Sequence, residues 1–83
     1  VLIAITTSGS SSNILNAAEI AKLKNVKVIG MTGRSGGKLK NIADIMVQIP
    51  SDNTPRIQEA HITVGHIICH LVETMLFEKE IIQ

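Results

Sequence analysis

Two stretches of this sequence hold residue types that do chemistry. The first is Thr6-Thr7-Ser8-Gly9-Ser10-Ser11-Ser12, in which every residue but the glycine carries a hydroxyl. Hydroxyls gathered in one turn can each meet an oxygen of a phosphate, and a glycine lets the backbone come close to the anion. The run follows an aliphatic segment and precedes a helical pattern, so it would lie at the head of a helix. Unpaired N–H groups and a partial positive charge there suit an anion. No lysine of the P-loop type follows, so a nucleoside triphosphate is not indicated. The same residues also make an ordinary serine-capped turn, and spacing alone leaves both readings open.

The second stretch is Arg56-Ile57-Gln58-Glu59-Ala60-His61, with His66, His70 and Glu73 beyond it. His66 and His70 stand four apart and Glu73 three further on, so on one helix all three could meet one metal ion. They equally share the most polar strip of that helix, where charged residues face water. His61 falls on the apolar side and reads as a hydrogen-bonded interior or interface histidine. A third run, Thr32-Gly33-Arg34-Ser35-Gly36-Gly37, has the composition of a phosphate loop but a weak helix after it. A tight connection at positive φ accounts for its glycines. Cys69 reads as a small core residue.

The elements that must position these residues alternate between strand and helix. Val1 to Ile5 is a continuous aliphatic run, the mark of a strand covered on both faces. Asn13 to Lys24 has helical periodicity, with Ser10, Ser11 or Ser12 available as N-cap. Val26 to Met31 is a second strand, Lys38 to Ala43 a short helical turn, and Asp44 to Ile49 a third strand. Gln48, which interrupts that third strand, places it nearer the sheet edge. Thr54 as N-cap and Pro55 at the first position then open a helix running to about Lys79. Joints this short between such elements imply parallel strands with right-handed crossovers, an α/β fold. On a wheel, the apolar residues of the last helix, Ile57 to Leu76, span roughly 220°, against ~100° for a simple surface helix. One sector covers the sheet; the rest requires further chain or another subunit.

Composition removes several function classes. Eight Lys+Arg against seven Asp+Glu leave a net charge of +1, without the clustered cation that nucleic acid demands. Phe77 is the one aromatic, so base stacking has no platform. At 45% apolar and 18% charged, the 83 residues are too hydrophobic for disorder. One cysteine allows no internal disulfide, which fits a cytoplasmic protein. No apolar run nears the ~20 residues of a membrane span, and Val1-Leu2-Ile3 lacks the basic start of a signal peptide. The chain opens inside what reads as a buried strand, as a cut chain would.

Taken together, three runs resemble the bacterial phosphoheptose isomerases of the sugar isomerase (SIS) domain superfamily. They are Ala4-Ile5-Thr6-Thr7-Ser8-Gly9-Ser10-Ser11, Val28-Ile29-Gly30-Met31-Thr32-Gly33, and Pro50-Ser51-Asp52-Asn53-Thr54-Pro55-Arg56-Ile57-Gln58-Glu59-Ala60-His61-Ile62. The resemblance makes residues 1–83 the C-terminal part of a single SIS domain, a flavodoxin-like three-layer fold of which about three strands and a long helix are present. It implies a ketose–aldose isomerase that converts sedoheptulose 7-phosphate to D-glycero-D-manno-heptose 7-phosphate through an enediol, in heptose synthesis for lipopolysaccharide. Such an enzyme is a cytoplasmic homotetramer with active sites between subunits. Thr6, Thr7, Ser8 and Ser11 match the loop that holds the sugar phosphate. Gln58 and His66 match positions that ligate zinc in zinc-bound members, together with a His and a Glu outside this chain, and His66 matches the acid/base residue. Thr6 stands where the family more often has Ser, and Ser10 where it has Asn. The superfamily also contains non-catalytic modules that sense sugar phosphates or bind a protein, including relatives associated with the replication initiator. An isolated half-domain is expected to be inactive. Gln58 and His66 are eight residues apart, about 12 Å along a straight helix. Either Gln58 precedes the regular helix or the two serve one ion from different subunits.

Overall fold

A computed structural model describes residues 1–77. Its elements are β1 (Leu2–Ile5), α1 (Ser12–Leu23), β2 (Val28–Thr32), a 3₁₀ turn (Gly37–Asn41), β3 (Ile45–Gln48) and α2 (Thr54–Phe77). The three strands form one parallel sheet in the order β1-β2-β3. Each element lies within two residues of where periodicity puts it, and Gln48 does end an edge strand. The expected end of α2 near Lys79 falls outside the described residues.

Register sorts the strand residues by face. Leu2 pairs with Val28, and Ala4 with Gly30, which pairs in turn with Met46. This face carries the core: Ala4, Val28 and Leu39 with Ala18 and Ala21 of α1. Small residues at 18 and 21 let the helix come down onto the sheet. The helix ends in a Schellman motif: Val26 N–H donates to the Ala21 carbonyl at 2.8 Å and Asn25 N–H to the Lys22 carbonyl at 3.1 Å. Asn25 takes the left-handed conformation this needs, φ +60°.

The opposite face corrects the sequence reading. β1 is covered on one side only, with Ile3 39% and Ile5 52% exposed. α2 lies over this second face, yet among its described residues only Ile57 and His61 are buried. Ile62, Ile67, Leu71, Met75 and Leu76 all remain exposed. The wide apolar arc therefore has no partner within residues 1–77. By length and composition α2 is long and apolar enough to cross a membrane, with mean hydropathy 1.3 over its most apolar stretch. This corrects the expectation that no apolar run nears that length; Gln58, His61, His66, His70 and Glu73 are spaced along α2 and hide it from a search for apolar runs.

Asn53, one residue earlier than expected, caps α2. Its carbonyl accepts from Ile57 N–H at 3.0 Å and its side-chain oxygen from Arg56 N–H at 3.5 Å. Pro55 accordingly sits at the second helical position, where its missing N–H is still no loss.

Asp44, just before β3, ties the layers together. One carboxylate oxygen meets Lys22 of α1 at 2.5 Å and the other accepts the Val28 N–H at 2.8 Å. The Lys22 hydrogen bond first, and the Val28 N–H second, hold the Asp44 carboxyl below its ordinary value of 3.8. A carboxyl depressed on folding adds stability above its unfolded value, and that stability is lost as pH falls through the folded one. Asp44→Asn is therefore expected to lower the melting temperature at pH 7, with the deficit closing as the pH is taken below 3.8. A deficit that persists undiminished in acid would show that the charge is not what matters.

Candidate active site

The hydroxyl loop joins the carboxyl end of β1 to α1, the place where parallel α/β sheets bind ligands. Its internal bonds hold it in one shape. Ser8 Oγ accepts the Ser10 N–H at 3.1 Å and lies 3.4 Å from Thr6 Oγ1. Ser11 stands at the cap position of α1 but its hydroxyl accepts no backbone N–H of the helix; it donates instead to Asn13 Oδ1 at 2.5 Å. The serine-cap reading is thus only half met. Position is right, but the side-chain acceptor at the helix head is Asn13, whose Oδ1 takes the Ile14 N–H at 2.9 Å.

The glycine run after β2 turns out to be the support of this loop. Gly9 (φ +70°) lies against Gly36 (+74°) and Gly37 (+56°), so close that a Cβ on Gly9 would fall 2.1 Å from the Gly36 carbonyl oxygen. The Leu39 N–H donates to the Gly9 carbonyl at 2.9 Å, and the Lys38 N–H to Ser10 Oγ at 3.3 Å. Gln48 secures the second loop in turn, its amide donating to the Arg34 carbonyl at 2.9 Å. Ser10 thus serves as a brace between loops.

Between α2 and the uncovered face of the sheet runs an open groove of about 700 Å³. Ile3, Ile5 and Met31 form its floor, Thr6 and Thr7 one end, and Gln58, His61, Ile62, Gly65, His66 and Cys69 the α2 wall. A smaller hollow of about 190 Å³ adjoins it, lined by Thr7, Ser8, Gly33, Arg34, Ser35, Ser51, Asp52, Thr54 and Ile57. Thr7 lines both, so Thr6 and Thr7 of the hydroxyl loop face α2 across the groove while Ser8 borders the hollow beside it. Arg34 is committed to structure there: it donates to the Pro50 carbonyl at 2.8 Å and pairs with Asp52 at 3.3 Å.

Of the residues singled out in the sequence, Thr6, Thr7, Gln58 and His66 come together around the groove and Ser8 faces the adjoining hollow. Ser11 lines neither, being at the head of α1. His61 is the interior histidine expected: 3% exposed, with Nε2 2.9 Å from the Thr32 carbonyl oxygen. Sequence reasoning missed Gly65. A glycine inside a helix costs about 1 kcal/mol relative to alanine, and open space lies where its Cβ would be. That misfit with helix propensity is the signal that could have found it.

The metal readings separate. His66, His70 and Glu73 form no ion-holding group, and no set of three His, Cys, Asp or Glu does so among the described residues. All three are exposed, and His66 alone of them lines the groove. Gln58 lies inside unbroken α2, so it does not precede the regular helix. Eight residues give about 12 Å of rise and about 80° of rotation relative to His66. An amide oxygen and an imidazole nitrogen are donor types zinc accepts at ~2 Å, and this spacing sets the two about two turns apart on one helix.

The SIS domain model matches residues 1–76. The chain belongs to the SIS domain family. Among curated relatives this SIS chain is 53% identical over 79 residues to phosphoheptose isomerase 2 of Campylobacter jejuni, spanning 95% of the chain and 39% of that protein. It is 49% identical over 80 residues to the phosphoheptose isomerase of Aneurinibacillus thermoaerophilus, 96% of the chain and 40% of that protein. The solved phosphoheptose isomerase of Francisella tularensis superposes at a TM-score of 0.83 with 46% identity, covering 88% of the SIS chain and 41% of that one. The chain therefore spans about two-fifths of the length of these relatives. Its three parallel strands between α1 and α2 are the corresponding portion of the SIS fold.

Proposed function

We propose that this chain is the C-terminal part of a sugar-phosphate isomerase that converts sedoheptulose 7-phosphate to D-glycero-D-manno-heptose 7-phosphate. The observation that carries this reading is the groove itself. Thr6 and Thr7 of the hydroxyl loop line it together with the His66 imidazole on the facing helix, and Thr7 also lines the hollow beside it. Its volume lies within the roughly 300–1,000 Å³ of small-molecule sites. Relatives at about half identity that carry the isomerase name support the substrate class.

In this reading Thr6, Thr7, Ser8 and Ser11, with the head of α1, hold the phosphate and fix the register of the sugar chain. Remote binding energy of that kind is used to orient the reacting carbons. Aldose–ketose exchange moves a proton between C1 and C2 through an enediol, and a histidine titrates in the pH range where such transfers are efficient. His66 supplies one proton-transfer group; the second comes from chain outside these residues. Gln58 hydrogen-bonds the substrate's oxygens. Zinc in this proposal is held by Gln58 and His66, reaching one ion from different subunits of a homo-oligomer of the tetrameric kind. The exposed apolar face of α2 is where such subunits and the rest of the domain would pack. A cytoplasmic location follows from the same assignment.

The full-length protein carrying this chain is expected to turn over sedoheptulose 7-phosphate, with inorganic phosphate competing. Binding of the sugar phosphate without turnover would leave a non-catalytic sugar-phosphate module instead. Neither binding nor turnover would overturn the assignment.

A further inference from the structure

His61 is locked at one ring nitrogen and idle at the other. Nε2 lies 2.9 Å from the Thr32 carbonyl oxygen at the end of β2. A carbonyl only accepts, so Nε2 carries the proton, and in the neutral imidazole Nδ1 is then a bare acceptor. Nδ1 is buried and has no partner, the one buried side-chain atom among the described residues in that state. Buried acceptors are almost always matched by a donor, so one is wanted here.

Helical side chains lean back over the residues three and four positions earlier. For His61 these are Gln58 and Ile57, both on α2. Ile57 has nothing to donate. Gln58 is exposed, lines the same groove as His61, and ends in an amide that carries a donor on one side and an acceptor on the other. The two ends differ little in shape, so a neighbour has to choose between them.

We propose that His61 is a positioning residue for Gln58. Its Nδ1 accepts a hydrogen bond from the Gln58 side-chain N–H, which turns the Gln58 carbonyl oxygen into the groove as an acceptor for a substrate hydroxyl. The Thr32 carbonyl sets the tautomer of His61, and the tautomer sets the face Gln58 presents. The groove is thereby tuned to a polyol. The identity of the ligand rests on the isomerase reading above; the pairing of the two side chains does not.

The test uses the full-length protein labelled with ¹⁵N. In the wild type, one Gln58 side-chain N–H is expected to be displaced from the position of a free amide. In His61→Gln, which keeps an N–H for Thr32, that displacement is lost. The KM for sedoheptulose 7-phosphate rises about fivefold, the worth of one net hydrogen bond, while kcat changes less than twofold. Gln58→Glu presents an oxygen on either side, so adding His61→Gln to it shifts KM by less than twofold. Should His61→Gln fail to fold, Gln58→Leu at the exposed partner gives the same information, as a shift of the His61 Nδ1 resonance. Gln58 signals identical in wild type and His61→Gln, or equal KM effects in both backgrounds, would overturn the pairing. A wild type that ignores sedoheptulose 7-phosphate would sink the isomerase reading alone, since the amide signals still report on the pairing.

Discussion

Gly9→Ala is expected to lower the melting temperature by several degrees and to weaken phosphate binding with it. Two costs coincide at this residue. Its φ of +70° is a conformation that costs an L side chain about 1–2 kcal/mol. Its Cβ would also lie 2.1 Å from the Gly36 carbonyl oxygen and 2.9 Å from the Gly37 nitrogen. Those neighbours are backbone and cannot rotate away, so the two loops must part. Parting them breaks the Leu39 N–H to Gly9 carbonyl bond and removes the surface on which the hydroxyl loop rests. For a domain of the relatives' size, each kcal/mol moves the midpoint by roughly 2–4 °C. Thermal unfolding measured with and without inorganic phosphate checks both parts. A midpoint within about 2 °C of the parent, with phosphate stabilisation unchanged, would refute the bracing role. Gly37→Ala meets the same wall from the other side, its Cβ 2.4 Å from the Ser8 carbonyl oxygen. Its cost and that of Gly9→Ala should not add, because once the loops have parted the second methyl group finds space.

His66→Ala tests the α2 wall of the groove. In the full-length protein kcat for sedoheptulose 7-phosphate is expected to fall by about 10²–10⁴, the usual contribution of a positioned acid or base. KM should change less than about threefold, since the hydroxyl loop that holds the phosphate is a separate element. His66 is exposed on α2 in this chain, so its removal leaves the core untouched and the melting temperature close to that of the parent. Unchanged turnover would take His66 out of the mechanism. A large rise in KM with kcat intact would make it a binding residue. The split between the two constants therefore assigns the role, which loss of activity alone does not.

Much of this could be read from residue types in order. The aliphatic runs at Val1–Ile5 and Val26–Met31, the hydroxyls between strand and helix, and the Thr54-Pro55 start of α2 each have a local cause in side-chain shape or backbone freedom. His61 stood out for the same reason, as a polar residue on an apolar face. The cap of α2 moved by one residue because Asn and Thr compete for the same role. The choice between them depends on which carbonyl accepts the first helical bond.

What local pattern could not reveal is which distant residues meet. Sequence alone determined that this is an α/β chain with an anion-suited loop after its first strand and more apolar helix surface than its own sheet can cover. Those properties follow from propensities and periodicities that act within a few residues. Tertiary structure decided that Gly36 and Gly37 support the hydroxyl loop from almost thirty residues away, that Arg34 is occupied with Pro50 and Asp52, and that Ile3 and Ile5 face an open groove. Each of these is a through-space contact set by strand order and register, and a parallel sheet joins residues that the chain itself keeps far apart.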